Sequence, residues 1–491
     1  MTGFCRLLHA EWTKFRTVPG WVAGMVAAAL MVVLVAVLAG IGGDPEGSPP
    51  VPIGPGGEPV TDSFFFVHRP LIGDGSIVVS VSALRSRIPA DPAHLEPGVV
   101  PWAKAGLLIR ASTRPGAPYA AIMVTGSHGV RMQHDYVHDR PGPVPAASVR
   151  WLRLDRSGGA ITGSASADGT HWITVGTTRL PGLGPAADGG MFVASPPAVD
   201  GRGTRGSVST AVFAGPRIEG RWAGADWTGT QLGEGDPGFA GYPGTTSGSV
   251  TGIGRSYTVT GAGDLAPAVR ETLPTAGTLQ DILTGTFPAL VTVAVIGALG
   301  ITTEHRTNLL RSTLAAAPGR GRVLLAKATV LGGVAFAAGL AGTAVAAPLS
   351  LRLAQAHGVY VFPATARTEA RVVLGTAALL ATASILALAV GTVVRHSAAA
   401  VSTVVGTVVL PYLLIANPFL PAGAAGWLAR VTPAAAFAVQ QTLVPYEQVS
   451  TVSTPYDGYY PLAPWAGLAV LAGYAAGSLA AAAVLLHRRD A

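Results

Sequence analysis

Cysteine, lysine and charged residues are scarce in this sequence of 491 residues. Cys5 is the only cysteine, so no disulfide bond can form within the chain. Charged residues make up only 12% of the chain, which is low for a soluble protein. A mean hydropathy of +0.44 is nevertheless too low for a chain that lies wholly in lipid. The apolar residues must therefore be concentrated in parts of the chain.

Several motifs of enzymes are also missing. No GxxxxGK[ST] loop occurs, so the chain cannot itself hold ATP phosphates in a P-loop. It contains no HExxH zinc motif, no nucleophile elbow and no carboxylate pair with an assignable role. The net charge of +7 lies beside apolar segments and not in one basic block. We therefore expect no catalytic or metal site, no cofactor and no nucleic-acid partner.

Six long apolar runs predict a membrane protein that crosses the bilayer six times. Each has about the length of a helix that spans the ~30 Å hydrocarbon core. The runs are residues 21–41, 282–303, 323–349, 372–394, 398–416 and 463–486. A linker rich in Pro and Gly is expected at 43–60, and a large polar region separates the first two runs.

The segment before the first run predicts a helix that lies on the membrane surface. Its apolar and polar residues take opposite sides at helical spacing. A cleaved signal peptide is the alternative, but the following apolar run exceeds the ~7 to 15 residues of a signal core. Glu11 lies within the apolar side, where a carboxylate needs a cation, either Lys14 or a basic residue between the second and third runs. The apolar side comprises Phe4, Leu7, Leu8, Trp12 and Phe15, and the polar side Arg6, His9, Thr13 and Arg16.

Cationic residues predict the orientation of the chain, because positively charged short loops remain in the cytoplasm. Most basic residues near the runs fall on one side of a six-span arrangement. Both termini are therefore expected in the cytoplasm and the large polar region outside. The basic residues on the cytoplasmic side of this arrangement are Arg6, Lys14, Arg16, Arg306, Arg311, Arg320, Arg322, Lys327, Arg395, Arg488 and Arg489. The basic residues that it places outside are Arg352, Arg367, Arg371 and Arg430.

The polar region predicts antiparallel strands that form a β-sandwich. Segments such as AGLLIRAS and YAAIMV alternate apolar and polar residues, and turns of Gly, Pro and Asp separate them. Asp168-Gly169 is a strong hairpin signal, and Trp172 is expected to pack back onto the core. In HDYVHD, two histidines four residues apart suggest zinc ligands on a helix. A surface strand is the preferred interpretation, with His134, Tyr136 and His138 on one side.

The segments FFFVHRPLIGDGSIVVSV, AGLLIR and WLRLDRSGGAITGSASADGTHW resemble the concanavalin-like, or laminin-G-like, jelly-roll sandwiches of bacterial surface proteins. The resemblance covers about residues 61–218 and implies an all-β domain at 61–222. A Gly-rich β appendage is expected at 223–277. Many such domains bind glycans, so Asp168 and Trp172 are candidate sugar contacts as well as turn and core residues.

AEWTKFRT near the N-terminus and TEHRTNLLRSTLAAAPGRGRVLLAK between the second and third runs resemble permease subunits of type-two ATP-binding-cassette (ABC) exporters, particularly of actinobacteria. The resemblance covers residues 1–42 and about 278–487. It implies an N-terminal connecting helix and a coupling loop at 304–327, both moved by a separate ATPase that binds the ATP. The residues implied in this coupling are Glu11, Trp12, Lys14, Glu304, Arg306, Leu310, Arg311 and Leu314.

These patterns predict a membrane all-α part, residues 1–42 and 278–491, with an inserted extracellular all-β domain. The function expected from the resemblance is that of an export permease in a bacterial plasma membrane, acting as a homodimer or heterodimer. Its outer domain is expected to bind a glycan, peptide or envelope component. Two alternatives remain: a membrane-anchored binding or sensor protein, and a surface glycan-active enzyme. A lipid-surface helix is the alternative for the coupling loop.

Overall fold

The computed structural model of the chain describes most residues and divides them into two compact units. The helical unit comprises residues 1–48, 275–444 and 453–491, and the β unit comprises residues 49–274 and 445–452. The described residues are 3–42, 51–91, 94–143, 151–200, 203–224, 226–233, 247–253, 255–273, 276–307, 309, 313, 319–416, 420–451, 454–455 and 458–489.

Nine α-helices are described in the helical unit. They are α1 (Gly3–Thr17), α2 (Pro19–Ile41), α3 (Leu279–Ile282), α4 (Thr286–Arg306), α5 (Arg320–Ala356), α6 (Ala366–Val394), α7 (Ser397–Ala416), α8 (Ala422–Val431) and α9 (Pro464–Arg489). A 3-10 turn joins α3 to α4, and a second 3-10 segment, Pro433–Gln440, follows α8. Six spans among the described residues are long and apolar enough to cross a membrane. They contain α2, α3 with α4, α5, α6, α7 and α9, so the six predicted apolar helices are confirmed.

Small residues bring some of these helices close together. A Cβ on Gly342 of α5 would lie 2.9 Å from the carbonyl oxygen of Ala29 in α2. A Cβ on Gly40 of α2 would likewise lie 3.0 Å from the carbonyl oxygen of Ser350 in α5. Backbones that approach so closely are typical of membrane helices, where packing replaces the hydrophobic effect as the force that holds helices together.

Contacts within the helical unit define its two ends. At one end, which we call the charged end, Lys327 near the start of α5 contacts Glu304 near the end of α4. Arg320 also donates to the carbonyl oxygen of Leu486 near the end of α9, over 2.6 Å. At the opposite end, Gly277 before α3 bridges to Val361 between α5 and α6.

Eighteen strands are described, and most of those in the β unit join one antiparallel sheet of 14 strands. They are β1 (Val60–Asp62), β2 (Phe64–Asp91), β3 (His94–Gly98), β4 (Lys104–Arg110), β5 (Tyr119–Thr125), β6 (Val130–His134), β7 (His138–Pro141), β8 (Trp151–Ser157), β9 (Ala160–Ser166), β10 (Ile173–Arg179), β11 (Ala186–Ala194), β12 (Ala198–Asp200), β13 (Gly203–Arg205), β14 (Val208–Trp222), β15 (Thr228–Leu232), β16 (Gly248–Ile253), β17 (Ser256–Ala262) and β18 (Leu265–Pro267). The predicted antiparallel β domain is therefore confirmed.

The long strand β2 organises this sheet. Its first part pairs with β11 and β15, and its later part pairs with β8 and β14. Side chains from both parts, such as Val67 and Val79, enter one buried cluster with residues of β4, β5, β9 and β17. A second buried cluster includes Phe64, Phe66, Tyr119 and Tyr136. Both faces of the sheet are therefore covered in this region.

Two local features differ from the sequence analysis. The segment 223–277, expected as an appendage, contributes β15, β16 and β17 to the main sheet, because 228–232 pair with 64–68 of β2. The HDYVHD segment is a tight hairpin and not a continuous strand. Asp135 and Tyr136 both have positive φ, and His134 pairs with His138 across the turn. The expectation of one surface strand there was therefore wrong.

Candidate functional site

Four charged side chains meet at the charged end of the helical unit, and we call them the charge cluster: Glu11, Lys14, Glu304 and Lys327. Lys327 Nζ lies 2.6 Å from Glu11 Oε2 and 2.8 Å from Glu304 Oε1. Lys14 Nζ lies 2.9 Å from Glu11 Oε1 and 3.3 Å from Glu304 Oε1. Each ammonium therefore bridges both carboxylates, and the four formal charges cancel.

The helices place these groups by simple periodicity. Glu11 lies four residues before Phe15, on the buried side of α1, and Lys14 follows one turn after Glu11. Glu304 lies in the last turn of α4, and Lys327 lies two turns into α5 among buried apolar residues. The cluster thus joins α1 to the two helices that flank residues 307–319.

Burial makes the pairing in the cluster necessary. Glu11 and Glu304 are each 5% exposed, and Lys327 is 3% exposed. A carboxylate at the C-terminal end of a helix is also opposed by the helix dipole, which applies to Glu304. Removing one partner would leave a buried charge uncompensated, at a cost of about 3–5 kcal/mol. The cluster is therefore a strong constraint on how α1, α4 and α5 are arranged.

The two cluster residues of α1 remain charged. Burial alone would raise the pKa of the Glu11 carboxyl, but Lys327 and Lys14 outweigh burial and hold that pKa below its usual value. Burial alone would lower the pKa of Lys14, but Glu11 and Glu304 outweigh it and raise that pKa. Both side chains thus remain ionised around neutral pH.

The structure describes two of the other candidate coupling residues, Trp12 and Arg306, and both lie outside the charge cluster. Trp12 is 45% exposed and stacks on Phe15, so it lies beside the buried side of α1 and not within it. Arg306 is exposed at the end of α4. Leu310, Arg311 and Leu314 lie outside the described residues. From the sequence, Lys327 is only one of several basic residues near this loop. Its contacts with both carboxylates depend on packing between distant segments.

The candidate glycan contacts belong to a turn between β9 and β10. Asp168 Oδ1 accepts hydrogen bonds from the backbone N–H groups of Thr170 and His171, each over 2.8 Å, and from Ser166 Oγ over 3.0 Å. The backbone N–H and ring of His171, together with Thr170, hold the pKa of Asp168 well below its usual value. The carboxylate is therefore engaged by its own turn, as the hairpin motif predicts.

The aromatic side chain that packs on this turn is not the expected one. Gly169 has φ +80°, and a Cβ there would lie 3.0 Å from the ring of Trp151. Trp172 is only half-buried and lies outside the buried clusters. The prediction that Trp172 packs onto the core was therefore wrong, because the register of β8 brings Trp151 beside the turn.

The two histidines of HDYVHD stack instead of converging on a common point. Their ring centroids are 4.5 Å apart with an interplanar angle of 17°. Burial and the adjacent His138 lower the pKa of His134 to about 4. Within the described part of the chain, no group of three His, Cys, Asp or Glu residues is arranged to hold a metal ion.

This lowered pKa predicts how the β unit responds to acid. An unfolded histidine takes up a proton near pH 6.5, so the unfolded state binds the proton first and stability falls between about pH 6.5 and 4. His134→Asn should reduce this loss of stability. Thermal unfolding of the full chain at several pH values, with hydrogen exchange at β6 and β7, measures this loss of stability as the pH falls. The exposed His94→Asn serves as control, and an equal effect of both substitutions would refute the prediction.

Comparisons with known proteins give little further information. No family model matches the sequence, and no curated protein matches it. Among solved structures, scytalido-glutamic peptidase with a transition state analog inhibitor matches at a TM-score of 0.25 and 10% identity, over 40% of this chain and 98% of that chain. SCP-B, a member of the eqolisin family of peptidases, matches at 0.24 and 6% identity over the same shares. A functionally unknown protein from Saccharomyces cerevisiae matches at 0.16 and 12% identity, over 33% of this chain and 72% of that chain. At such TM-scores these likenesses carry no conclusion about function.

Proposed function

We propose that this chain is the permease subunit of an ABC-type exporter, energised by a separate ATPase subunit. The observation that carries the proposal is the charge cluster, which ties a surface helix to both helices that flank residues 307–319. This is the arrangement needed if a partner acts on that loop and its displacement must reach the membrane helices. The resemblance of AEWTKFRT and the loop to ABC permeases supports the same function.

The proposed mechanism is the transmission of a displacement through the cluster. A partner that moves the loop would move the end of α4 and the start of α5, which carry Glu304 and Lys327. The paired charges resist separation, so α1 would follow. Only Val18 separates α1 from α2, so a tilt of α1 would pass directly to the first span. ATP hydrolysis in the partner could thereby change the arrangement of α2, α4 and α5.

We place the chain in a bacterial plasma membrane as a homodimer or heterodimer of permeases. The β unit is proposed to be a concanavalin-like jelly-roll domain outside the cell that binds a glycan, peptide or envelope component. Because Asp168 is engaged by its own turn, that residue offers little support for a sugar site.

The proposed orientation predicts a labelling pattern. In a Cys5→Ala background, a cysteine at Ala167 should react with a membrane-impermeant thiol reagent on intact cells, whereas one at Thr313 should react only after lysis. Ala167 is exposed beside the β9–β10 turn, unlike its buried neighbour Ser166. Thr313 belongs to the segment between α4 and α5, whose flanking helix ends form the charged end. Labelling of both cysteines from outside would contradict the orientation.

The proposed function is tested by purifying the full chain from its native membrane. We expect a P-loop ATPase to co-purify, identified by its own phosphate-binding motif, and its ATP hydrolysis to depend on this chain. Purification without such an ATPase, combined with binding of a surface ligand, would favour the membrane-anchored sensor. Hydrolysis of a glycan by the purified chain would favour the surface enzyme.

A further inference from the structure

A short segment between the second 3-10 segment and α9 belongs to the β unit. Residues 445–452, which we call the strap, lie in that unit, although 276–444 and 453–491 on either side belong to the helical unit. The chain therefore passes between the units at four points, after residues 48, 274, 444 and 452. A domain inserted into a single loop would require only two.

The strap is bonded firmly within the β unit. Gln448 is 4% exposed, and its Nε2 donates to the carbonyl oxygens of Val137, over 3.0 Å, and Tyr136, over 3.5 Å. Val449 packs in a buried cluster with Ala266 and Val269. These contacts attach the strap to the β6–β7 hairpin and to the end of β18.

The hairpin that receives Gln448 is itself part of a buried polar framework. Tyr136 Oη donates to Asp62 Oδ2 over 2.8 Å, and Arg110 pairs with the same carboxylate oxygen over 2.9 Å. All three side chains are almost completely buried. A displacement of the strap therefore acts on β1, β4 and the hairpin together, and not on an isolated surface loop.

On both sides of the strap, the chain is fixed within the helical unit. Upstream, Gln440 Nε2 donates to Thr286 Oγ1 of α4 over 3.0 Å and to Thr376 Oγ1 of α6 over 3.1 Å. Downstream, Gln280 Nε2 of α3 donates to the carbonyl oxygen of Pro455 over 2.8 Å. All of these groups are buried. The two stretches of chain that join the strap to the helical unit, which we call the connectors, are therefore anchored at their outer ends by buried hydrogen bonds.

We propose that the strap is a mechanical link that couples the β unit to α3, α4 and α6. Only eight positions separate Gln440 from Gln448, a length of at most about 29 Å when fully extended. Seven positions separate Gln448 from Pro455. Both ends of each connector are held by buried hydrogen bonds. A rearrangement of the helices that lengthens the path between those ends therefore pulls on the strap. Occupation of the β unit by a ligand would act on the helices by the same route, because coupling between two sites is reciprocal.

The link is tested in the full-length chain by hydrogen exchange, without cargo, ligand or ATPase. Gln440→Ala removes the upstream anchor within the helical unit. We expect exchange at the strap and the β6–β7 hairpin of the other unit to rise roughly tenfold, the effect of losing about one to two hydrogen bonds. Gln441→Ala, which removes only a contact to the nearby Leu443 carbonyl oxygen, is the matched control and should leave the hairpin unchanged.

A second variant separates a mechanical link from general destabilisation. A Gly/Ser insert of about six residues after Leu443 should slacken the connector. In that background, Gln440→Ala should change exchange near Thr286 and Thr376 but no longer at the hairpin. An equal rise at the hairpin with and without the insert, or no rise in either, would overturn the proposal. The reverse variant, Gln448→Ala, should raise exchange near Gln440 only without the insert, and failure to do so would also overturn it.

Discussion

Lys327→Met should destabilise the helical unit by about 3–5 kcal/mol, because Lys327 contacts both carboxylates of the charge cluster. The substitution preserves most of the side-chain volume but removes the cation. Glu11 and Glu304 would then share only Lys14, whose side chain is 35% exposed. Two carboxylates near one another with too little positive charge repel, so α1 should detach from α4 and α5. Thermal unfolding of the full chain in a membrane mimetic measures this loss of stability.

Matched variants show whether charge is the cause. Arg322→Met removes an exposed cation from the first turns of α5 and should change stability little. Adding Glu304→Gln to Lys327→Met should recover part of the loss, because one unpaired carboxylate becomes neutral. If Lys327→Met were no worse than Arg322→Met, the cluster would not hold α1 in place and the proposed mechanism would lose its basis.

The sequence predicts those parts of the molecule that depend on local pattern. The six apolar helices follow from runs long enough to span a bilayer, and the turn at Asp168-Gly169 follows from the requirement for positive φ. The need of Glu11 for a cation follows from its place on an apolar helix face. Each of these features is determined by residues within a few positions of one another.

Features that depend on distant pairing could not be predicted in this way. Lys327 and Glu11 are 316 positions apart, and no local pattern indicates which cation reaches the buried carboxylate. The strap is a further example, since Gln448 lies 311 positions from Val137. The HDYVHD hairpin was mispredicted for a local reason. Asp135 and Tyr136 both adopt positive φ, which is uncommon for residues other than glycine, so alternation suggested a strand.

The second large effect concerns the loop between α4 and α5. In TEHRTNLLRSTLAAAPGRG, Leu310 and Leu314 are four positions apart, which is the spacing of one turn if this segment is helical. Both are expected to enter an apolar groove of the ATPase. Replacing both with Asp would place two charges in that contact and weaken the complex by several kcal/mol, about a hundredfold or more. The matched control is Ser312→Asp with Ala316→Asp. It introduces the same two charges at the same spacing, at positions that helical periodicity would place on the opposite side from the leucines.

The most direct test of the proposed function measures ATP hydrolysis by the complex isolated with each double variant. Leu310→Asp with Leu314→Asp should reach the membrane in normal amount, lose the ATPase on purification and no longer stimulate hydrolysis, while the Ser312 and Ala316 control keeps both properties. If the leucine variant retained the ATPase and stimulated hydrolysis normally, the loop would be only a lipid-surface helix. That result would contradict the coupling on which the export function is proposed.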